Sequence, residues 1–235
     1  ICCYNNEYED FMNFKALSKT SLFYGTTPRE AEAMLNCLGA VQQCFTKGKT
    51  IYHMGDSVTS LGMVLSGSVL IENDEFWGNT SILDSIGPGQ IFAETYACAC
   101  GERMMVNVVA AESTKVLFLD MRKALQICSH ACAHHNKLIR NLLSISAQKN
   151  LNLSRKIFHT SPKSIRGRLL SYLSYQAVRS GSQSFVIPFN RQQLADYLNV
   201  DRSALSNELS KMQRDGLLHV EKNHFELLGD GMELL

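Results

Sequence analysis

Apolar and polar positions repeat in three successive patterns along the 235 residues. From Gln43 to Leu119 the chain consists of short β-rich pieces, TIYHMGD, GMVLSGSVLIE, WGNTSILDSIGPGQIF and MMVNVVAAESTKVLFLD, separated by Gly48, Gly55, Gly67, Gly87 and Gly89, with Pro88 where no strand ladder can continue. Met63, Leu65, Gly67, Val69 and Ile71 alternate with Val64, Ser66, Ser68 and Leu70, and the more apolar first set is expected to face inward. This is antiparallel texture, expected to close as a small sandwich or rolled barrel. After Asp120 the period lengthens. Ile139, Leu143, Ser146, Asn150, Leu153 and Ile157 recur at spacings of four and three, the a and d positions of a heptad, with Leu138, Leu142 and Ile145 beside them. One helix from about His134 to Phe158, about 37 Å long, would lay that flank on the β-domain and its seam on a second copy of itself. Asn150, polar on the seam, would pin register at some cost in stability.

The third pattern predicts two short helices and a hairpin. Leu194, Ala195 and Leu198 share one face of a helix over Arg191–Leu198, with Asn190 able to accept from the free amides at its start. Leu205, Leu209 and Met212 form one stripe of a second helix with Asp201 as N-cap. Asn199 and Val200 lie between them, and Asn tolerates the positive φ that such a turn needs. Gly216 ends the second helix; Leu217, Leu218 and Val220 then precede a Lys222-Asn223 turn into Phe225, Leu227 and Leu228, as in a wing. A winged helix-turn-helix carries its second helix into the DNA major groove. The positions left exposed on that helix are Arg202, Ser203, Ser206, Asn207 and Ser210, an arginine and hydrogen-bonding groups with no acid among them. Arg suits guanine O6 and N7, Asn suits adenine N6 and N7, and Ser suits either base type.

Charge sharpens this picture. The formal net charge is only +1, but residues through Leu119 hold 7 Lys and Arg against 13 Asp and Glu, whereas those from Asp120 onward hold 16 against 9. The basic half can replace counterions on DNA phosphates, and the acidic half cannot. No apolar run approaches a membrane span, and the start, ICCYNNEYEDF, lacks the basic and apolar regions of a signal peptide, so a cytoplasmic protein without membrane partners is expected. The chain opens on Ile1 rather than Met, which leaves room for upstream residues. The eight cysteines, at 2, 3, 37, 44, 98, 100, 128 and 132, do not imply a disulfide framework in such a chain. Cys128 and Cys132 stand beside His130, His134 and His135 in CSHACAHH, yet the paired spacing of structural zinc is missing.

The segments KGKTIYHMGD, VLSGSV, IGPGQIFAE, SIRGRLLSYL and RQQLADYLNVDRSALSNELSKMQRDGLL, in this order, resemble the Crp/Fnr family of bacterial transcription regulators over nearly the whole chain. The resemblance implies an α+β fold: an N-terminal double-stranded β-helix (jelly-roll-like) sensor domain, a long dimerisation helix and a C-terminal winged helix-turn-helix. The corresponding boundaries are a helical segment over 1–40, an effector-sensing β-roll over 41–119, a helical linker and dimerisation helix over 120–160, and the DNA-binding domain over 161–235. It implies phosphate contacts from Asn190, Arg191 and Gln192, joined by Lys222 of the wing, and base readout from Arg202, Ser203 and Asn207, with Ser206 on the same face. Position 207 is often Arg in the family, so Asn207 replaces a guanine-type contact by an adenine-type one.

For the sensor the resemblance implies a pocket around Phe92, Glu94, Arg103, Met104 and Met105. Cyclic-nucleotide-binding members use a glutamate for the ribose and an Arg-Ser or Arg-Thr pair for the phosphate. Glu94 matches the first, but Met104 and Met105 stand where the pair belongs, with Arg103 one residue early, so cyclic AMP is disfavoured and the effector is unknown. No firm metal, haem or iron–sulfur signature replaces it: Cys2 and Cys3 are adjacent rather than spaced, and the lone His53 reads as structural. The expectation is a homodimeric, effector-gated, non-enzymatic regulator of a palindromic operator, with RNA polymerase as a further partner. A redox or metal sensor of the same architecture, using Cys98, Cys100, Cys128 or Cys132, is the alternative. A cupin-like enzyme is disfavoured because the strand region has no His-x-His pair.

Overall fold

The computed structural model describes residues 13–74, 80–99, 101–125 and 133–228. The chain divides into two compact units, Ile1–Ala147 and Gln148–Leu235.

The first unit opens with α1 (Phe14–Leu17) and α2 (Pro28–Leu38). Helix α2 starts where the sequence supplies a reciprocal cap. Thr27 Oγ1 accepts from the Glu30 amide, the Glu30 carboxylate accepts from the Thr27 amide at 2.7 Å, and Pro28 takes a position that needs no N–H. The strands are β1 (Val41–Phe45), β2 (Thr50–Tyr52), β3 (Ser60–Ser66), β4 (Val69–Asp74), β5 (Thr80–Ile86), β6 (Ile91–Phe92), β7 (Asn107–Ala110) and β8 (Thr114–Asp120). Helix α3 (Glu94–Cys98) follows β6, and α4 (Met121–Leu125) follows β8. Among the described residues these strands form two four-stranded antiparallel sheets, ordered β1-β8-β3-β6 and β2-β7-β4-β5. Val64, Val116 and Phe92 of the first sheet meet Val69, Ile86 and Val108 of the second in a shared core. The other face of the first sheet buries Leu61, Met63, Leu117 and Leu119 against Met34, Leu35 and Leu38 of α2.

This arrangement corrects the expected single inward face of Met63, Leu65, Gly67, Val69 and Ile71. Met63 and Val64 are both fully buried, in different cores. The period of two assigns neighbours to opposite faces, but β3 has helices on one face and a sheet on the other, so neither face is wet. The chain then turns at Gly67, whose φ of +77° favours glycine, and β4 joins the other sheet. Gly62 answers a second need: a Cβ there would lie 2.1 Å from the Phe92 ring.

Helix α5 (Ala133–Thr160) extends the expected 134–158 helix by a residue or two at each end, and the division between the units falls within it. In the first unit its flank is docked as expected: Leu138 and Leu142 are buried in the helical core, with Ile145 packed against it. Polar groups fasten the same turn. Lys137 Nζ lies 3.1 Å from the Glu30 carboxylate, and Asn141 Nδ2 donates to the carbonyls of Leu22 and Tyr24, each at 2.9 Å. The Thr27 amide and then Lys137 hold the Glu30 pKa down to about 2, so Glu30 is ionised at neutral pH. The seam faces outward instead: Leu143, Leu153 and Ile157 are 67%, 63% and 65% exposed, Ser146 and Asn150 are exposed, and Ile139 is half-buried.

The second unit contains the end of α5, α6 (Ile165–Ser180), β9 (Ser184–Val186), α7 (Arg191–Leu198), α8 (Arg202–Arg214), β10 (Leu218–Glu221) and β11 (His224–Leu227). Its strands form one sheet, β10-β11-β9. The two predicted stripes, Leu194, Ala195 and Leu198 on α7 and Leu205, Leu209 and Met212 on α8, are buried with Leu169, Leu173, Phe185, Leu218 and Phe225. The unit is a helix-turn-helix with a β-hairpin wing.

Candidate nucleic-acid interface

Short-range chemistry sets the interface. Asn190 Oδ1 accepts from the Gln193 amide while Gln193 Oε1 accepts from the Asn190 amide, both at 2.9 Å, so α7 starts with a complete capping box. Asn199 sits at φ +53° between the helices, as its side-chain type allows. Asp201 Oδ1 caps α8 by accepting from the Ala204 amide at 2.8 Å and also accepts from the Ser203 hydroxyl. These bonds, Ser203 first, hold the Asp201 carboxyl below the usual carboxylate range, so it is ionised at neutral pH.

With Leu205, Leu209 and Met212 turned into the core, the opposite face of α8 presents Arg202, Ser203 and Asn207 fully and Ser206 partly. Arg202 and Asn207 make no side-chain hydrogen bond among the described residues. Ser206 Oγ donates to the Arg202 carbonyl at 2.9 Å, and Ser210 Oγ donates to the Ser206 carbonyl at 3.0 Å. The four expected phosphate contacts also gather. Arg191 Nη2 reaches the Lys222 carbonyl at 3.3 Å, and its guanidinium lies 5.9 Å from the Phe225 ring centre, which joins the start of α7 to the wing turn. Part of the set is already engaged: Asn190 caps α7, and Gln192 Nε2 donates to Asp196 at 2.8 Å. The Arg191 and Gln192 amides, at the positive end of α7, remain as anion donors by helix geometry.

Two arginines that the sequence reading did not single out position this face. Arg168 Nη1 donates to the carbonyls of Leu198 (3.0 Å) and Asn199 (2.9 Å), and its Nε donates to Pro162 O at 2.9 Å. It thereby satisfies carbonyls left over at the end of α7. Arg166 pairs with Glu208 at 2.6 Å and Asp215 at 2.8 Å, tying α6 to the middle and end of α8. Their partners on α7, the turn after it and α8 lie about thirty to fifty residues away, so spacing gave no signal; for Gln193 the Asn-x-x-Gln spacing of a capping box did. Replacing Arg168 by Ala should cost about 2 kcal/mol, the scale of charge-assisted hydrogen bonds. Lysine should not restore it, because one ammonium cannot reproduce the planar fork; denaturant melts of the two variants check this.

Behind the interface, His159 at the end of α5 is 1% exposed. Its Nδ1 lies 3.1 Å from Ser171 Oγ, and its ring packs on Tyr172, Tyr175 and Tyr197. Burial, helped by Arg155, pushes its pKa below the ordinary 6.5. The unfolded chain therefore takes up this proton at higher pH than the fold does, and His159 contributes stability above pH 6.5 that is lost as pH falls below it. Thermal melts from about pH 7.5 to about pH 5.5 should show a falling Tm, and His159→Phe should flatten part of that slope.

The five expected effector residues differ in burial. Phe92 and Met104 are 2% exposed, inside the core between the sheets, where Phe92, Tyr52 and Phe118 meet edge to face at 5.8–6.5 Å. Glu94 is buried at the start of α3. Arg103 is exposed, with Nη1 donating to the Gly55 carbonyl at 3.2 Å, and Met105 is 71% exposed. A cavity of about 210 Å³ in the same unit is lined by Asn13, Leu17, Thr20, Gln42, Ser66 and Lys115, among others, and by none of the five. Of the cysteines, Cys37, Cys44 and Cys98 are in no disulfide among the described residues; Cys2, Cys3, Cys100, Cys128 and Cys132, with His130 and the His134 side chain, lie outside the described residues. Among the described residues no three His, Cys, Asp or Glu converge as a metal site, and no helix is long and apolar enough to cross a membrane.

Two family models match the chain, a cyclic nucleotide-binding domain over residues 42–131 and a Crp-like helix-turn-helix domain over 167–229. The chain is 24% identical over 205 residues to the cyclic AMP receptor protein of Thermus thermophilus, covering 85% of this chain and 88% of that protein. It is 22% identical over 210 residues to the CRP-like cAMP-activated global transcriptional regulator of Mycobacterium tuberculosis, covering 87% and 91%. Among solved structures, the Thermus thermophilus catabolite activator protein superposes with a TM-score of 0.50 at 22% identity, over 88% of this chain and 93% of that one. The c-di-GMP-responsive regulator CLP of Xanthomonas campestris gives 0.52 at 19%, over 86% and 100%. At these identities the structural likeness concerns the fold.

Proposed function

Since the chain belongs to the Crp/Fnr family of bacterial transcription regulators, we propose that it is a homodimeric, sequence-specific DNA-binding regulator gated by an effector sensed in its β-roll. The observation that carries this reading is α8 itself. Its apolar stripe is wholly buried, whereas the Arg202 and Asn207 side chains stand exposed with no hydrogen-bond partner among the described residues. A face that keeps bidentate donors and acceptors unspent is suited to base edges. Arg202, Ser203, Ser206 and Asn207 read bases, and Arg191, Gln192, Asn190 and Lys222 hold phosphates. The seam of Ile139, Leu143, Ser146, Asn150, Leu153 and Ile157 pairs two copies and buries the apolar positions that the single chain leaves in water. Selection from a random duplex pool tests the reading. It predicts an enriched palindrome with half-sites about 10 base pairs apart, centre to centre, and a pool without enrichment overturns it.

We infer that cyclic AMP is disfavoured as the effector. The position where relatives in the family place a cation for the cyclic phosphate holds Met104, sealed in the apolar core, while Arg103 is exposed and bonded to the Gly55 carbonyl. Burying a phosphate there unpaired would cost several kcal/mol or more. Millimolar cyclic AMP should therefore leave the thermal melt unchanged, and a rise in Tm of more than about 2 °C would contradict this.

A further inference from the structure

This inference rests on the DNA-reading function just proposed and concerns which bases α8 selects. A serine hydroxyl can donate or accept until its single hydrogen is committed. Each serine on this face has committed it. Ser203 Oγ donates to the Asp201 carboxylate, Ser206 Oγ to the Arg202 carbonyl and Ser210 Oγ to the Ser206 carbonyl. Those acceptors carry no hydrogen, so the direction of each bond is fixed by chemistry. The bonds of Ser206 and Ser210 run to backbone one helical turn back and can be exchanged for others. That of Ser203 differs, because its acceptor is charged and is itself held by the Ala204 amide as the N-cap of α8. Ser203 is exposed in the first turn, the part of a recognition helix that meets base edges.

We propose that Asp201 and Ser203 act as a polarity lock: Ser203 offers DNA only lone pairs, and so selects a base that presents an amino group in the major groove, adenine or cytosine, over guanine or thymine. Adenine N6 and cytosine N4 donate there, whereas guanine O6 and thymine O4 only accept and would face Ser203 oxygen to oxygen. Arg202 beside it is donor-only, so adjacent positions on α8 ask for opposite base chemistry.

The test measures affinity of the full chain for the selected operator with all four bases placed in turn at each half-site position, using wild type, Ser203→Ala and Asp201→Gly. Glycine is nearly as good an N-cap as aspartate, so α8 keeps its start, and thermal melts verify it. Wild type should favour adenine or cytosine at one position by about fivefold, the scale of one hydrogen bond. Ser203→Ala should flatten that position alone. Asp201→Gly frees the hydroxyl to donate and should raise guanine or thymine toward parity there, whereas loss of a purely structural cap would lower every duplex alike. The proposal is overturned if Ser203→Ala changes all positions equally or none, or if the position it flattens favours guanine or thymine in wild type. Absence of any base preference in wild type would instead overturn the DNA-reading function itself.

Discussion

A chain carrying Leu153→Glu and Ile157→Glu is expected to sediment as a monomer and to bind its operator at least about ten-thousandfold more weakly than the parent. Both side chains are about two-thirds exposed in the single chain, so the substitutions open no cavity, and glutamate is a good helix former. In the pairing proposed for α5 they would set four like charges into an apolar seam. Operator-binding dimers of this kind draw on two half-sites, and losing one removes about half of a binding energy that corresponds to nanomolar affinity or better. Sedimentation equilibrium and operator titration check the two halves of this expectation, and far-ultraviolet circular dichroism should be unchanged. Leu142→Glu is the opposite control: Leu142 is buried in the helical core of the first unit, and a charge there should destabilise that unit.

The second large effect is expected from Arg202→Ala combined with Asn207→Ala. Each bidentate contact to a base discriminates by about 1–3 kcal/mol, so removing two from each half-site should lower specific affinity by at least a hundredfold. Binding to unrelated DNA rests on phosphate neutralisation and should fall far less. Neither side chain has a hydrogen-bond partner among the described residues, and both are exposed, so melting temperature and dimer formation should be retained. Competition titrations against operator and non-operator duplexes separate these outcomes.

The second unit was legible in the sequence because its determinants are local. The stripes Leu194, Ala195, Leu198 and Leu205, Leu209, Met212, the caps Asn190 and Asp201, and the left-handed Asn199 each depend on residues within about one turn. The helix over 133–160 was legible for the same reason, through its spacing of four and three. What depends on distant partners was not. Alternation along β3 separates Met63 from Val64, but it carries no word of the helices that cover the second face. Arg166 and Arg168 look like ordinary charges of a basic region until Glu208, Asp215 and the turn carbonyls of Leu198 and Asn199 are brought to them by the fold. Around Phe92 and Met104, sequence matching gave positions along the chain, whereas the fold decides that both enter the core while Arg103 and Met105 remain outside.

Hydroxyl-radical footprinting of the selected operator, with wild type and with the Arg202→Ala, Asn207→Ala variant, decides whether α8 reads DNA from a symmetric dimer. Two equivalent protected patches about one duplex turn apart are expected for the wild type, both lost with the variant at the same concentration. A single patch, or a footprint that the variant leaves unchanged, would contradict it.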